Sequence, residues 1–388
     1  MEESQQSALL IIGNGFDLTC GLQTKYTDFF DYEMKHNNDF KTFHDQLQNI
    51  NMFHFDNWGG NPIGEVKKMQ NISQNLTVWD MMFQICEVYP FSGDTIPSRW
   101  CDIESMISES LKSINIESDF LWLGVFNFLD HLLEYGHMVN SLLLGAGRRE
   151  MIIGYLIFVS PIFRNQMNQN RTFTIHTFFS FLFSQLKIFE ARFAQYILHV
   201  QESNGLYQNN AEDLLIKLSS GIKDFYVESF NYTTIEFCKN KLLNIHGCAR
   251  ESGIVAFGVF RRDISSESPV FQFTKASRQC ELLANNIRPI KKDKNIGKVI
   301  VFGHSLNEQD YSYFFQLFDF IELANVSLSK PDLSFAYSVY DLAKSSEIIN
   351  TYTKAVSSII DAYGKSKNIS NLLSVLVNGG RLDITKIS

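Results

Sequence analysis

Apolar positions fall in short unbroken runs near the two ends of the chain and at helical spacing through its middle. Ala8 to Ile12 is continuously apolar, as a parallel strand buried on both faces should be. Gly13-Asn14-Gly15 ends that run. Tyr26, Phe29, Phe30 and Glu33 then follow a helical period, with Thr24 placed to cap the helix. From about His36 to Gly221 the strand signals fade. Phe120-Leu121, Val125, Phe128-Leu129 and Leu132-Leu133 mark one helical face, and Phe178-Phe179, Leu182-Phe183, Leu186, Phe189, Phe193 and Ile197 mark another. Core packing accounts for both stripes. Met151 to Phe163 reads as a buried helix, and Asn49 to Asn75, rich in Asn and Gly, as a loop. Strands return at Asp224–Ser229, Lys241–Ile245, Ile254–Phe257, Lys298–Phe302 and Leu333–Tyr340, followed by a helix over Ser346–Tyr363. Strands alternating with helices predict an α/β fold. The expected form is a Rossmann-like, doubly wound, mostly parallel sheet. It is discontinuous: residues 1–35 and 222–388 form the nucleotide-binding domain, and 36–221 form a large inserted helical subdomain.

Composition narrows the classes of function. The chain has 388 residues, 45% of them hydrophobic, which is ample for a packed core. Its net charge of −8 argues against a nucleic-acid partner held by bulk charge. The opening MEESQQSA is polar and acidic, unlike a signal peptide, and Met151 to Phe163 is shorter than the roughly 20 residues of a membrane-spanning helix. A cytoplasmic protein with no membrane partner is expected. The six cysteines form no CxxC pair, and the nine histidines show no HxxxH or HExxH spacing, so no metal site is expected.

The candidate chemistry lies where strands stop. In a doubly wound sheet, ligands bind outside the carboxyl ends of the strands. Four such ends carry polar residues: Gly13-Asn14-Gly15-Phe16-Asp17, Phe230-Asn231-Tyr232-Thr233-Thr234, His246-Gly247, and Gly303-His304-Ser305 running on to Asp310. Ser305 and Glu308 also have capping-box spacing for the helix that follows. Each end alone has a structural explanation, such as a tight turn at Gly13 and Gly15 or a turn at Asn231. Their conjunction on one edge of one sheet points to a single site. The Gly-x-Gly pair lacks the third glycine of the dinucleotide fingerprint, because Leu18 stands there. Its N–H groups remain candidates for phosphate oxygens. Asp17 either accepts hydrogen bonds from ribose hydroxyls or pins the loop through backbone N–H groups.

These residues carry a family resemblance. LLIIGNGFDLTCGLQTKYTDFF (Leu9–Phe30), RWCDIE (Arg99–Glu104), FNYT (Phe230–Thr233), NIHG (Asn244–Gly247) and VFGHSLNEQDYSYF (Val301–Phe314) resemble, in order, the AbiH-type phage abortive-infection proteins of bacteria. More distantly, the strand-end pattern is similar to the sirtuin-like NAD-consuming domains of antiphage effectors. That resemblance implies NAD as substrate and places Asn231 and His246, with Asp17, at catalytic positions. Gly13, Asn14, Gly15, Phe16, Gly303, His304, Ser305 and Asp310 fall on nucleotide-contacting positions. The chain departs from sirtuins in lacking zinc-ribbon cysteines and in its Gly-Asn-Gly-Phe-Asp loop.

The implied reaction is hydrolysis of the nicotinamide–ribose bond. The leaving group is already cationic, so no acid is needed to expel it, and His246 would take a proton from the attacking water. Asn231 would hold the water or the ribose. Such an activity needs restraint, and the helical insertion, released by an unknown phage trigger, is the element expected to supply it. A homo-oligomer stays open. Two alternatives remain. One is a nucleotide-binding sensor or partner-binding protein without chemistry. The other is a metal-dependent nuclease or nucleotidyltransferase, which would need Asp17, Asp102, Glu104 and Asp310 brought together. Asp102 and Glu104 could equally belong to a helix N-terminus. Arg261-Arg262 is a further candidate for phosphate.

Overall fold

The computed structural model describes residues 7–49, 75–88, 102–113, 175–260, 264–285, 287, 296–325, 332–338 and 345–387. Two compact units emerge. The first combines residues 1–25, 193–260 and 275–388, and the second combines 26–192 and 261–274.

The first unit is built on six parallel strands: β1 (Ser7–Ile12), β2 (Phe225–Ser229), β3 (Leu242–Asn244), β4 (Ile296–Phe302), β5 (Asp332–Ser338) and β6 (Leu382–Ile387). Their order is β3-β2-β1-β4-β5-β6. In that order the chain winds outward from β1 in both directions, so β1 and β4 flank the point of reversal. Leu10 sits in register with Val227 on one side and Ile300 on the other.

The unbroken apolar run of β1 follows from that central place. Alternate side chains of a strand point to opposite faces. Leu9 and Ile11 join a core with Val299, Val301, Phe314, Phe318, Ile359, Ile360 and Tyr363. Ala8, Leu10 and Ile12 join another with Phe16, Tyr207, Ala211 and Leu215. The helices supplying these partners are α1 (Asn14–Thr19) and, further along the chain, Tyr207–Leu218 for one core, with Tyr311–Phe320 and Ser345–Ser366 for the other.

The second unit is mostly helical where it is described. It contains α2 (Tyr26–His36), α3 (Asn38–Asn49), α4 (Val78–Val88) and α5 (Ile103–Ser113). It also holds the first part of α6 (Ile175–Ser203), whose residues from Phe193 onward belong to the sheet unit. The Phe stripe of α6 is core. Phe189 meets Phe29 and Phe83 at ring separations of 5.7 and 5.3 Å, and Trp79 Nε1 donates to Leu182 O at 2.8 Å. Asp80, fully buried, accepts from Arg192 and from Thr77. Asp102 caps α5 by accepting from Ser105 N at 2.9 Å. Among the described residues, no helix is long and apolar enough to cross a membrane.

Several local expectations change. Ile254–Phe257 is not a strand. Its backbone makes single hydrogen bonds rather than a ladder, with Ala256 N donating to His246 O, and only Val259 forms an isolated bridge. Ser305 is exposed and caps nothing; Asn307 supplies the cap, accepting from Gln309 N at 3.1 Å. Thr24 donates to Asn14 Oδ1 at 2.5 Å instead of capping α2. The expectations for Phe120–Leu133, Met151–Phe163, Trp100, Arg261 and Arg262, and nearly all of the Asn49–Asn75 loop, lie outside the described residues.

Where β1 and β4 end, their loops interlock backbone to backbone. A Cβ on Gly13 would lie 2.7 Å from His304 Cα, and one on Gly15 2.7 Å from Gly303 Cα. Gly303 also holds φ at +70°, a region L side chains avoid. Replacing Gly15 or Gly303 by Ala is expected to destabilise the protein by roughly 2–4 kcal/mol, because backbone must move to admit the methyl group. Gly205, which has no atom within 4 Å of an added Cβ, serves as control and should tolerate Ala without loss. Urea unfolding midpoints of the three variants check this; equal midpoints would remove the interlock as a constraint.

Candidate functional site

The segment after β2 organises the strand ends. Phe230 N donates to Ile12 O and Ile245 N to Ser229 O, which continues the sheet pattern past β2 and β3. Asn244 Nδ2 donates to Asn231 O at 2.7 Å and to Thr233 O at 2.9 Å, holding the segment extended. An extended segment sends alternate side chains to opposite sides. Asn231 and Thr233 face one polar cluster, and Phe230 and Tyr232 face another.

The first cluster surrounds Asp17 of α1. Tyr207 OH, from α7 (Tyr207–Leu218), donates to Asp17 Oδ1 at 2.8 Å, and Thr233 Oγ1 lies 3.0 Å from Oδ2. The Asn231 amide also bonds the carboxyl, and its Nδ2 donates to Gly13 O at 3.1 Å. Asp17 is 1% exposed. Burial lifts its pKa to about 7, against the pull of Tyr207, Thr233 and Asn231. Burial, with the Asp17 charge adding to it, also pushes the Cys20 thiol up to about 12. Side-chain hydroxyls and an amide hold Asp17, rather than the backbone N–H groups expected of a loop pin.

The second cluster surrounds Asp310, at the start of α9 (Tyr311–Phe320). Lys275, the first residue of α8 (Lys275–Ala284), donates to Asp310 Oδ1. His246 Nε2 lies 3.5 Å from Oδ1 and His304 Nε2 3.3 Å from Oδ2. All four residues are buried. Desolvation opposes the carboxylate charge. Lys275 and the two imidazoles outweigh it and hold Asp310 well below the usual carboxylate range. Phe230 packs edge-on against His304 and His246, with ring separations of 4.3 and 5.5 Å, and Tyr313 lies 5.3 Å from His246.

Three N–H groups of the glycine loop are engaged within the protein. Gly13 N donates to Phe302 O, Gly15 N to Gly303 O and Phe16 N to Gly13 O. The interlock thus engages the N–H groups of Gly13 and Gly15, and Phe16 N bonds within its own loop. Asn14 and Ser305 are exposed, while Phe16 is buried core and packs 6.4 Å from Phe302. The structure thus joins Asp17 with Asn231, and His246 with His304 and Asp310. Asp102 caps a helix of the other unit. Among the described residues, no three His, Cys, Asp or Glu side chains group as metal ligands.

Sequence reasoning missed Lys275, Tyr207 and the pinning role of Asn244. Asn244 and Thr233 stand inside motifs that were visible, NIHG and FNYT. Lys275 and Tyr207 open helices with no flanking pattern, and nothing in their spacing marks them.

The family model for bacteriophage abortive infection AbiH matches residues 9–330 of the 388. The chain belongs to the AbiH family. This AbiH chain is therefore an abortive-infection, antiphage defence protein. Every residue of both clusters lies inside the matched span, and β5 and β6 lie beyond it. No curated protein and no solved structure matches the chain.

Asp17 makes a test of the first cluster. Its pKa is raised from 3.8 to about 7, so between those values the folded protein binds a proton that the unfolded chain does not. The Asp17 contribution therefore falls as pH rises through this window, by up to about 1.4 kcal/mol per pH unit and about 4 kcal/mol in all. Asp17→Asn should remove that slope and leave the variant more stable than wild type above the window. Urea unfolding of both proteins at about pH 5 and about pH 8 checks it. A variant less stable than wild type at the higher pH would refute the argument.

Proposed function

We propose that this AbiH protein hydrolyses the nicotinamide–ribose bond of NAD at the strand-end clusters, so that NAD loss stops phage growth. The observation that carries the reading is the contact between His246 Nε2 and Asp310 Oδ1 at 3.5 Å. A histidine held by a buried carboxylate is the arrangement a general base needs. The sheet order supports it, because ligands of such sheets bind at the carboxyl edge near the reversal of strand order.

In this mechanism water adds its oxygen to ribose C1′ and gives a proton to His246. The C1′–N bond breaks, and its electron pair stays on the ring and cancels the pyridinium charge. The Asp310 carboxylate faces the resulting imidazolium. Asn231 spends its N–H₂ on Gly13 O and the Asp17 carboxyl, which leaves its amide oxygen to accept from a ribose hydroxyl or the water. Gly13 and Gly15 act here through close backbone packing.

The engaged glycine N–H groups favour a second reading, a defence protein that binds a partner at these strand ends without cleaving a nucleotide. Purified protein incubated with NAD, followed by product chromatography, separates the two, together with intracellular NAD after infection. On the hydrolase reading, infected cells lose NAD, and His246→Ala and Asn231→Ala each cut turnover by about 10²–10⁴-fold. Phage growth blocked equally by wild type and His246→Ala, at constant NAD, would establish the binding reading.

A further inference from the structure

Lys275 donates to Asp310 and two imidazoles face its oxygens, and the polarity of those contacts is constrained. Leu306 N donates to His304 Nδ1 at 2.8 Å. A backbone N–H only donates, so Nδ1 is the bare nitrogen and Nε2 carries the hydrogen that points to Asp310 Oδ2. An ionised carboxylate only accepts, so the Nε2 atom of His246 on Oδ1 must carry its hydrogen as well. The third donor, Lys275, is built into place. Its backbone N donates to Val259 O at 3.0 Å, and its ammonium lies 5.4 Å from the Tyr313 ring. Gly258 leaves room for it, since a Cβ there would lie 3.1 Å from both Cα and Cγ of Lys275.

We propose that Lys275 and Asp310 are a positioning pair that fixes both strand-end imidazoles as Nε2–H donors and leaves His246 Nδ1 as the nitrogen that takes a proton from water. Only the last part, the proton transfer, rests on the hydrolase reading. The ammonium keeps the carboxylate an acceptor in a site without bulk water. Without it, Asp310 would take up a proton, turn one oxygen into a donor and release the imidazoles from a single tautomer. Lys275 touches no reacting atom in this scheme and acts through Asp310.

The test reads the tautomers directly. Two-bond ¹⁵N–¹H correlation spectra of the full-length, ¹⁵N-labelled protein distinguish Nε2–H from Nδ1–H imidazoles. They are recorded at about pH 8, above the ordinary imidazole range. His246→Gln and His304→Gln assign the signals. Wild type should show both residues as Nε2–H, Lys275→Arg should keep this pattern, and Lys275→Met should shift His246 to a mixture. NAD turnover should follow, falling about 10²–10⁴-fold in Lys275→Met and recovering to within about tenfold of wild type in Lys275→Arg. An Nδ1–H signal for His246 or His304 in wild type, or an unchanged spectrum in folded Lys275→Met, overturns the pair. If Lys275→Met does not fold, Asp310→Asn takes its place with the same expected shift, and the wild-type spectrum decides the tautomers without any variant. The spectra need no NAD. A protein that never cleaves NAD but shows both Nε2–H signals overturns the hydrolase and upholds the pair, whereas an active enzyme with an Nδ1–H His246 does the reverse.

Discussion

The backbone contact between the loops that leave β1 and β4 governs everything at the carboxyl edge of this sheet. Gly13 and Gly15 approach Gly303 and His304 so closely that no side chain fits between them. The contact fixes Asp17 just below it in sequence on one loop and His304 on the other. It also uses two hydrogen-bond donors, Gly13 N and Gly15 N, of the kind a glycine loop after a strand can offer to a phosphate. The same two glycines that suggest a nucleotide turn therefore serve loop-to-loop packing, and the polar chemistry moves to side chains on either side.

Those side chains are sorted by one extended segment. With Asn244 holding its carbonyls, residues 230–233 behave as an extra length of strand beyond the ladder. Their alternation separates a near-neutral carboxyl at Asp17 from a charged one at Asp310. Two buried carboxyl groups thus take opposite protonation habits. One is desolvated among hydroxyls and an amide; the other is desolvated too, but has an ammonium and two imidazoles against it. Pairs of titratable groups driven apart in this way are frequent in sites that move protons.

Much of this was legible in the chain. The all-apolar Ala8–Ile12 announced a central parallel strand, and the polar ends of four strands did come to one edge. The final strand, Leu382–Ile387, was not read, because an edge strand with Asp383 and Lys386 exposed carries little hydrophobic signal. Ile254–Phe257 was over-read for the opposite reason. Val255, Ala256 and Phe257 are apolar because they are buried, but Ile254 N donates to Ser252 Oγ and Ala256 N to His246 O instead of to a neighbouring strand. Within the site, Asn231, His246 and Asp310 stood in recognisable motifs. Lys275 did not, since a lysine reaches a buried carboxylate through tertiary placement, which spacing along the chain does not encode.

The family match ends at residue 330, between β4 and β5. Both clusters are complete by then, yet the sheet is not. A chain ending there would carry every side chain of the two polar clusters and still present Ile-Gly-Lys-Val-Ile-Val-Phe as an open margin. Lys298 would be the one charged residue along it. Such a margin invites pairing with any other extended chain. β5 and β6 can thus be understood as a guard rail. They keep the central strand that positions His304 from recruiting its own copies into aggregates.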